Sequence, residues 1–150
     1  IDLPPGTGDA QISLSQSVPI SGAIVVTTPQ QVSLQDARRG LAMFKQLGVP
    51  LLGIVENMST HVCSKCGHEE PLFGEQGGQM IAEEYGVSLL AELPLEIGVR
   101  VSSDQGTPLV QIETSAALGT YYHALASAVQ TAMSAQGDAT EFPTIEIVDD

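Results

Sequence analysis

The chain has 150 residues, 43% of them hydrophobic and 15% charged, which suits one folded domain with a real core and excludes a disordered segment. Five Lys and Arg against 18 Asp and Glu give a net charge of −13, so nonspecific binding to nucleic acid or to an anionic membrane is disfavoured. No apolar run reaches the ~20 residues of a membrane span, and the first residues do not read as a signal peptide. Two cysteines in one short motif suit ligands or redox thiols in a reducing, cytoplasmic setting better than a disulfide framework.

Ile1-Asp2-Leu3 reads as the end of a hydrophobic strand whose start lies outside the chain, which makes the polypeptide a piece of a larger protein. Pro4-Pro5-Gly6-Thr7-Gly8-Asp9 is built from breakers and predicts a loop, with Asp9 capping a helix over Ala10 to Val18. Ala23 to Thr28 is a β-branched run, as expected of a strand buried on both faces. Pro29 to Val32 predicts a loop, and Ser33 a helix cap. Leu34, Ala37, Leu41 and Phe44 then recur at helical spacing, so this helix lays one stripe on a sheet before Gly48 and Pro50 end it. Leu51 to Val55 predicts a second buried strand, and strand–helix–strand at this length implies a parallel, right-handed crossover.

A cysteine loop over about 57–72 follows. The pattern next predicts a helix over Gly74 to Tyr85, stopped by Gly86, and a strand over Ser88 to Leu93, ended by Pro94. A short helix over Leu95 to Ser102 and a long one from about Gln111 to Met133 complete the domain, 1–134. The long helix carries apolar residues that include Leu118, Tyr121, Leu125 and Val129. Residues 135–150 read as an acidic tail, either disordered or an edge strand through Thr144 to Val148. The fold class is α/β: a mostly parallel, doubly wound sheet with flanking helices.

Three positions carry candidate chemistry. Asp2, ahead of a Pro-Gly loop, could hold Mg²⁺, and the Gly6 amide could face a phosphate, although turn chemistry explains the same residues. Asn57 at a strand end could read a purine edge or merely cap a turn. His61-x-Cys63-x-x-Cys66-x-His68 admits a single-chain zinc site, a redox dithiol, or an iron–sulfur cluster shared across a two-fold axis. Spacing alone favours zinc, because four ligands lie within one loop.

In order along the chain, Ile1-Asp2-Leu3-Pro4-Pro5-Gly6-Thr7-Gly8-Asp9, Thr27-Thr28-Pro29-Gln30, Gly53-Ile54-Val55-Glu56-Asn57-Met58, Cys63-x-x-Cys66, Phe73-Gly74 and Leu93-Pro94-Leu95 resemble the Mrp/ApbC family. These are deviant P-loop ATPases that carry iron–sulfur clusters, relatives of nitrogenase iron protein and of the Min/Par partition ATPases. The resemblance runs from residue 1 to about 130. It implies that Cys63 and Cys66 bind a cluster, of the [4Fe–4S] type, shared between the two chains of a homodimer and delivered to apo iron–sulfur proteins. It further implies that Asp2 lies near Mg²⁺, that Gly6 senses the terminal phosphate of ATP, that Asn57 reads adenine, and that Pro94 and Leu95 line the base. A partition-type ATPase is the rival within the same fold, but needs no Cys-x-x-Cys. The family's glycine-rich phosphate loop with two lysines does not occur in these 150 residues, so the chain resembles the C-terminal portion and is expected to lack ATP turnover by itself.

Overall fold

A computed structural model describes residues 1–111 and 116–136. Its centre is one long strand, β2 (Leu51–Val62). β1 (Ala23–Thr27) runs parallel to its first half, with Val25 opposite Ile54 and Thr27 opposite Glu56. β4 (Leu89–Leu95) runs parallel on the other side, with Glu56 opposite Glu92 and Asn57 opposite Leu93. β3 (Glu69–Glu70) is antiparallel and pairs only with His61 and Val62 at the far end of β2. The mostly parallel α/β sheet expected from the crossover pattern is therefore present, with one short antiparallel strand added.

Between β1 and β2, α2 (Gln31–Gln46) buries Leu34, Ala37, Leu41 and Phe44. Those four residues are the 3-and-4-spaced stripe; Leu34, Ala37 and Leu41 pack with Ile54, Ile81 and Ala82, and Phe44 packs with Ala23 and Val49. The N-cap is Gln30, one turn earlier than the Ser33 reading; Ser33 instead accepts from the Thr28 hydroxyl at 2.8 Å inside the first turn. At the other end Gly48 adopts φ 71, a left-handed conformation that glycine adopts without steric cost. α1 (Asp9–Ser17) begins after Gly8, so Asp9 is its first residue and not its cap.

α3 (Gly77–Tyr85) starts three residues later than expected, because Gln76 takes φ 59 and blocks an earlier start. Gly86 caps its end as expected. Pro94 does not end β4, which runs on to Leu95: the β2–β4 register shifts between Asn57 and His61, and that irregular stretch has room for a residue with no N–H. α4 (Ile97–Asp104), a single 3₁₀ turn (Leu109–Gln111) and α5 (Ala116–Ala135) follow. On α5, Leu118, Tyr122, Leu125, Val129 and Ala132 face inward, while Tyr121 is exposed. The expected acidic tail lies, beyond its first two residues, outside the described residues. Ile1, Asp2 and Leu3 form no strand here.

Candidate functional site

The cysteines sit on a hairpin. β2 does not stop at Val55: it continues through Asn57 to Val62, so the expected loop over 57–72 is strand in its first third. The reversal itself is tight. The Cys63 amide donates to His68 O at 2.9 Å, and the Gly67 amide donates to Cys63 O at 2.8 Å. Gly67 takes φ 70 at the turn, where a side chain would be strained. Both thiols are free; Cys63 is half-buried and Cys66 exposed.

The backbone N–H of Lys65 and then that of Cys66 donate toward the Cys63 sulfur, and the Cys66 thiol adds a third hydrogen bond. Together they hold the Cys63 thiol below its ordinary range, against the smaller opposing effects of burial and of Glu70. A stabilised thiolate is the metal-binding and nucleophilic form. Among the described residues, no three His, Cys, Asp or Glu side chains converge as a ligand set. His61 turns its Nδ1 to Leu95 O at 3.3 Å. The four-ligand, single-chain zinc arrangement favoured by spacing is therefore not assembled among the described residues, and the hairpin holds two free thiols.

A second feature lies at the other end of the β2 register. A groove of about 1000 Å³ is lined by Asp2, Gly6, Gln11, Thr27 and Asn57, with Leu125 and Val129 of α5 across from them. It runs along the whole of β1 and reaches past its C-terminal end to Thr28; ligands of open α/β sheets bind at that end of the strands. Asp2, Gly6 and Asn57 thus all line this groove. Pro94 and Leu95 are not among its walls, nor are Cys63 and Cys66. Asn57 lies within β2, not at its end, and its Oδ1 accepts the Met58 amide at 2.9 Å. That bond supports Met58 at φ 58, a conformation unusual for a residue with a β-carbon, and leaves the Asn57 amino group free.

Two residues escaped the sequence reading. Gln11 is 3% exposed; its Nε2 donates to Pro4 O at 2.8 Å and Gly6 O at 3.0 Å, so a helix side chain holds the Pro-Pro-Gly loop. Its Oε1 is buried with no partner. Glu56 is 2% exposed and accepts the Gly78 amide. The available signal was a charged residue within an otherwise apolar strand run, Ile54-Val55-Glu56.

A family model for the ParA group, described as the NUBPL iron-transfer P-loop NTPase, matches residues 1–130. The chain belongs to this family. An iron-sulfur cluster carrier protein of Salmonella typhimurium is 49% identical over 138 residues, 92% of this chain and 37% of that protein. The iron-sulfur cluster transfer protein NUBPL of Mus musculus is 46% identical over 110 residues, 73% of this chain and 34% of that one. The chain therefore spans little more than a third of these relatives' length. Among solved structures, a nucleotide-binding protein of Archaeoglobus fulgidus in complex with ADP superposes with a TM-score of 0.63 at 38% identity, covering 71% of this chain and 44% of that one. The cell division ATPase MinD of Pyrococcus furiosus superposes at 0.66 with 23% identity over 87% of this chain and 50% of that one, a likeness of fold alone. The P-loop NTPase fold class and the cluster-carrier family expected from the ordered motifs are thus the ones found. Among the described residues, no helix is long and apolar enough to cross a membrane.

Proposed function

We propose that this chain is the cluster-holding part of an ATP-dependent iron–sulfur carrier, residues 1–134 forming the C-terminal portion of its ATPase domain. Cys63 and Cys66 of two copies supply the four thiolates that a [4Fe–4S] cluster takes, and the homodimer delivers that cluster to apo iron–sulfur proteins in the cytoplasm. Asp2 lies near Mg²⁺, Gly6 faces the terminal phosphate, and Asn57 reads adenine with its free amino group. Pro94 and Leu95 flank the base from the end of β4. The names of the relatives and the ADP-bound Archaeoglobus neighbour support this reading.

One observation carries it: the hairpin organises two free thiols, directs amides at one of them, and gathers no third ligand among the described residues. A site with two thiolates per chain is completed most simply by a second copy facing it. Its exposure suits cargo that must be handed on.

Anaerobic reconstitution with iron and sulfide tests the reading. We expect a brown dimer with one cluster per two chains. Cys63→Ala or Cys66→Ala abolishes both colour and cluster-dependent dimer, while His61→Ala and His68→Ala change little. A colourless monomer with one zinc per chain, lost when either histidine is removed, would replace the carrier with a zinc-stabilised structural module. The same preparation is expected to turn over no ATP, because it lacks the lysine-bearing phosphate loop.

A further inference from the structure

Among the described residues, Glu56 is the one buried carboxylate, and the proposed chemistry leaves it unused. It sits in the middle of the sheet, between Thr27 of β1 and Glu92 of β4. A carboxylate taken out of water is costly unless hydrogen-bonded or paired. The three ion pairs among the described residues use Glu84, Asp36 and Asp104. What Glu56 has instead is the Gly78 amide, in the first turn of α3, where the unpaired amides and the helix dipole favour a negative charge.

The place of this bond in the chain gives it a second meaning. Glu56 and Gly78 are 22 residues apart, and the segment between them carries Cys63, Cys66 and the whole hairpin. β2 leaves Glu56 toward Val62, the hairpin reverses the chain, and residues 71–76 bring it back to Gly77. The return point has no slack. A β-carbon on Gly78 would lie 2.9 Å from Glu56 Cβ, and one on Gly77 would lie 2.9 Å from Leu34 Cδ1. Gln76 enters the helix at φ 59 with no side-chain cap of its own. The carboxylate is the cap, supplied from another element.

Strand alternation places the neighbouring side chain on the opposite face. Ile54 packs with the α2 and α3 core, and Glu56 follows it on that face, whereas Val55 and Asn57 line the groove. The clasp of the cysteine excursion and the amide that faces the groove are thus consecutive residues.

We propose that Glu56 is a positioning residue: its carboxylate clasps the base of the excursion that carries Cys63 and Cys66, and ties that excursion to the strand segment that presents Asn57. The relevance to metal rests on the cluster-carrier reading; the clasp itself does not. Loosening it moves the hairpin relative to the groove without touching a thiol.

The test compares the parent chain with Glu56→Gln, Glu56→Ala and Gly78→Ala. The glutamine retains an acceptor oxygen but not the charge. The Gly78 variant keeps the carboxylate and pushes it off the amide. Two readouts are taken at a temperature where circular dichroism shows each variant folded. The first is hydrogen exchange at the Gly78, Cys63 and Gly67 amides. The second is anaerobic titration with Co²⁺ alone, whose thiolate bands report the geometry of the cysteine pair. We expect Gly78 exchange to rise about tenfold in Glu56→Ala and less in Glu56→Gln, as loss of a charge-assisted bond requires. Exchange at Cys63 and Gly67 rises with it. Co²⁺ affinity falls about tenfold with altered bands, as for a lost outer-shell contact, and Gly78→Ala reproduces the pattern. A purely local cap gives a different result: Gly78 loosens while the hairpin amides and the Co²⁺ spectrum stay as in the parent, and that overturns the proposal. If the parent takes up no Co²⁺, the metal reading falls separately, and exchange at the hairpin amides decides the clasp.

Discussion

Gly53→Ala tests the close approach of β2 and β4 on which both candidate sites depend. Gly53 has φ 154, and an added β-carbon would lie 2.5 Å from Ser88 O and 2.6 Å from Leu90 Cγ. Leu90 can rotate away, but Ser88 O cannot, since it accepts the Ile54 amide at 2.9 Å and begins the β2–β4 pairing. The substitution therefore combines overpacking, backbone strain and a weakened ladder bond, for a destabilisation of about 4 kcal/mol in total. For a chain of this length that lowers the melting temperature by roughly 8–16 °C. Gly40→Ala is the matched control: Gly40 lies inside α2, has nothing within 4 Å of its added carbon, and should gain about 0.5–1 kcal/mol. Urea and thermal unfolding followed by circular dichroism measure both. Equal stability of Gly53→Ala and the parent, within about 1 kcal/mol, would refute the packing of β4 against Gly53, because no relaxation of Leu90 alone makes the room.

Leu34→Ala removes a side chain with no exposed surface and should cost about 2–5 kcal/mol in urea unfolding, loosening α2 against Gly77 as well. Asn57→Ala removes both the Met58 support and the free amino group. ADP affinity measured by calorimetry on the longer protein should fall about tenfold, whereas Asn57→Asp keeps the Met58 bond and isolates the loss of the amino donor. Cys63 alkylation by iodoacetamide should show a midpoint below that of an ordinary thiol, since the Lys65 and Cys66 amides favour the thiolate. With a lowered pKa, this contribution to the hairpin is present above the ordinary thiol range and disappears as pH falls through the lowered value, so the protection of those two amides, measured against their intrinsic exchange at each pH, should fall on acidification.

Periodicity and breaker residues determined much of this protein without any coordinates. The stripe of Leu34, Ala37, Leu41 and Phe44 could bury itself only against a sheet, and the β-branched runs at Ala23 and Leu51 supplied one. Gly48 and Gly86 stop their helices through local backbone geometry, which is why both were legible. The order of short motifs was specific enough to indicate the family, since each motif keeps its place in the chain. Tertiary structure decided what depends on partners distant in sequence. β2 extends to Val62 because β3 and β4 offer His61 a partner on each side, and no local propensity records that. Tyr122, not Tyr121, faces inward because the docking of α5 selects its face. The role of Gln11 requires the Pro-Pro-Gly loop to fold back over α1, and that of Glu56 requires α3 to return to within hydrogen-bonding reach. A polar side chain declares its purpose only when its partner arrives, and in both cases the partner is a backbone group whose residue type carries no mark of the bond.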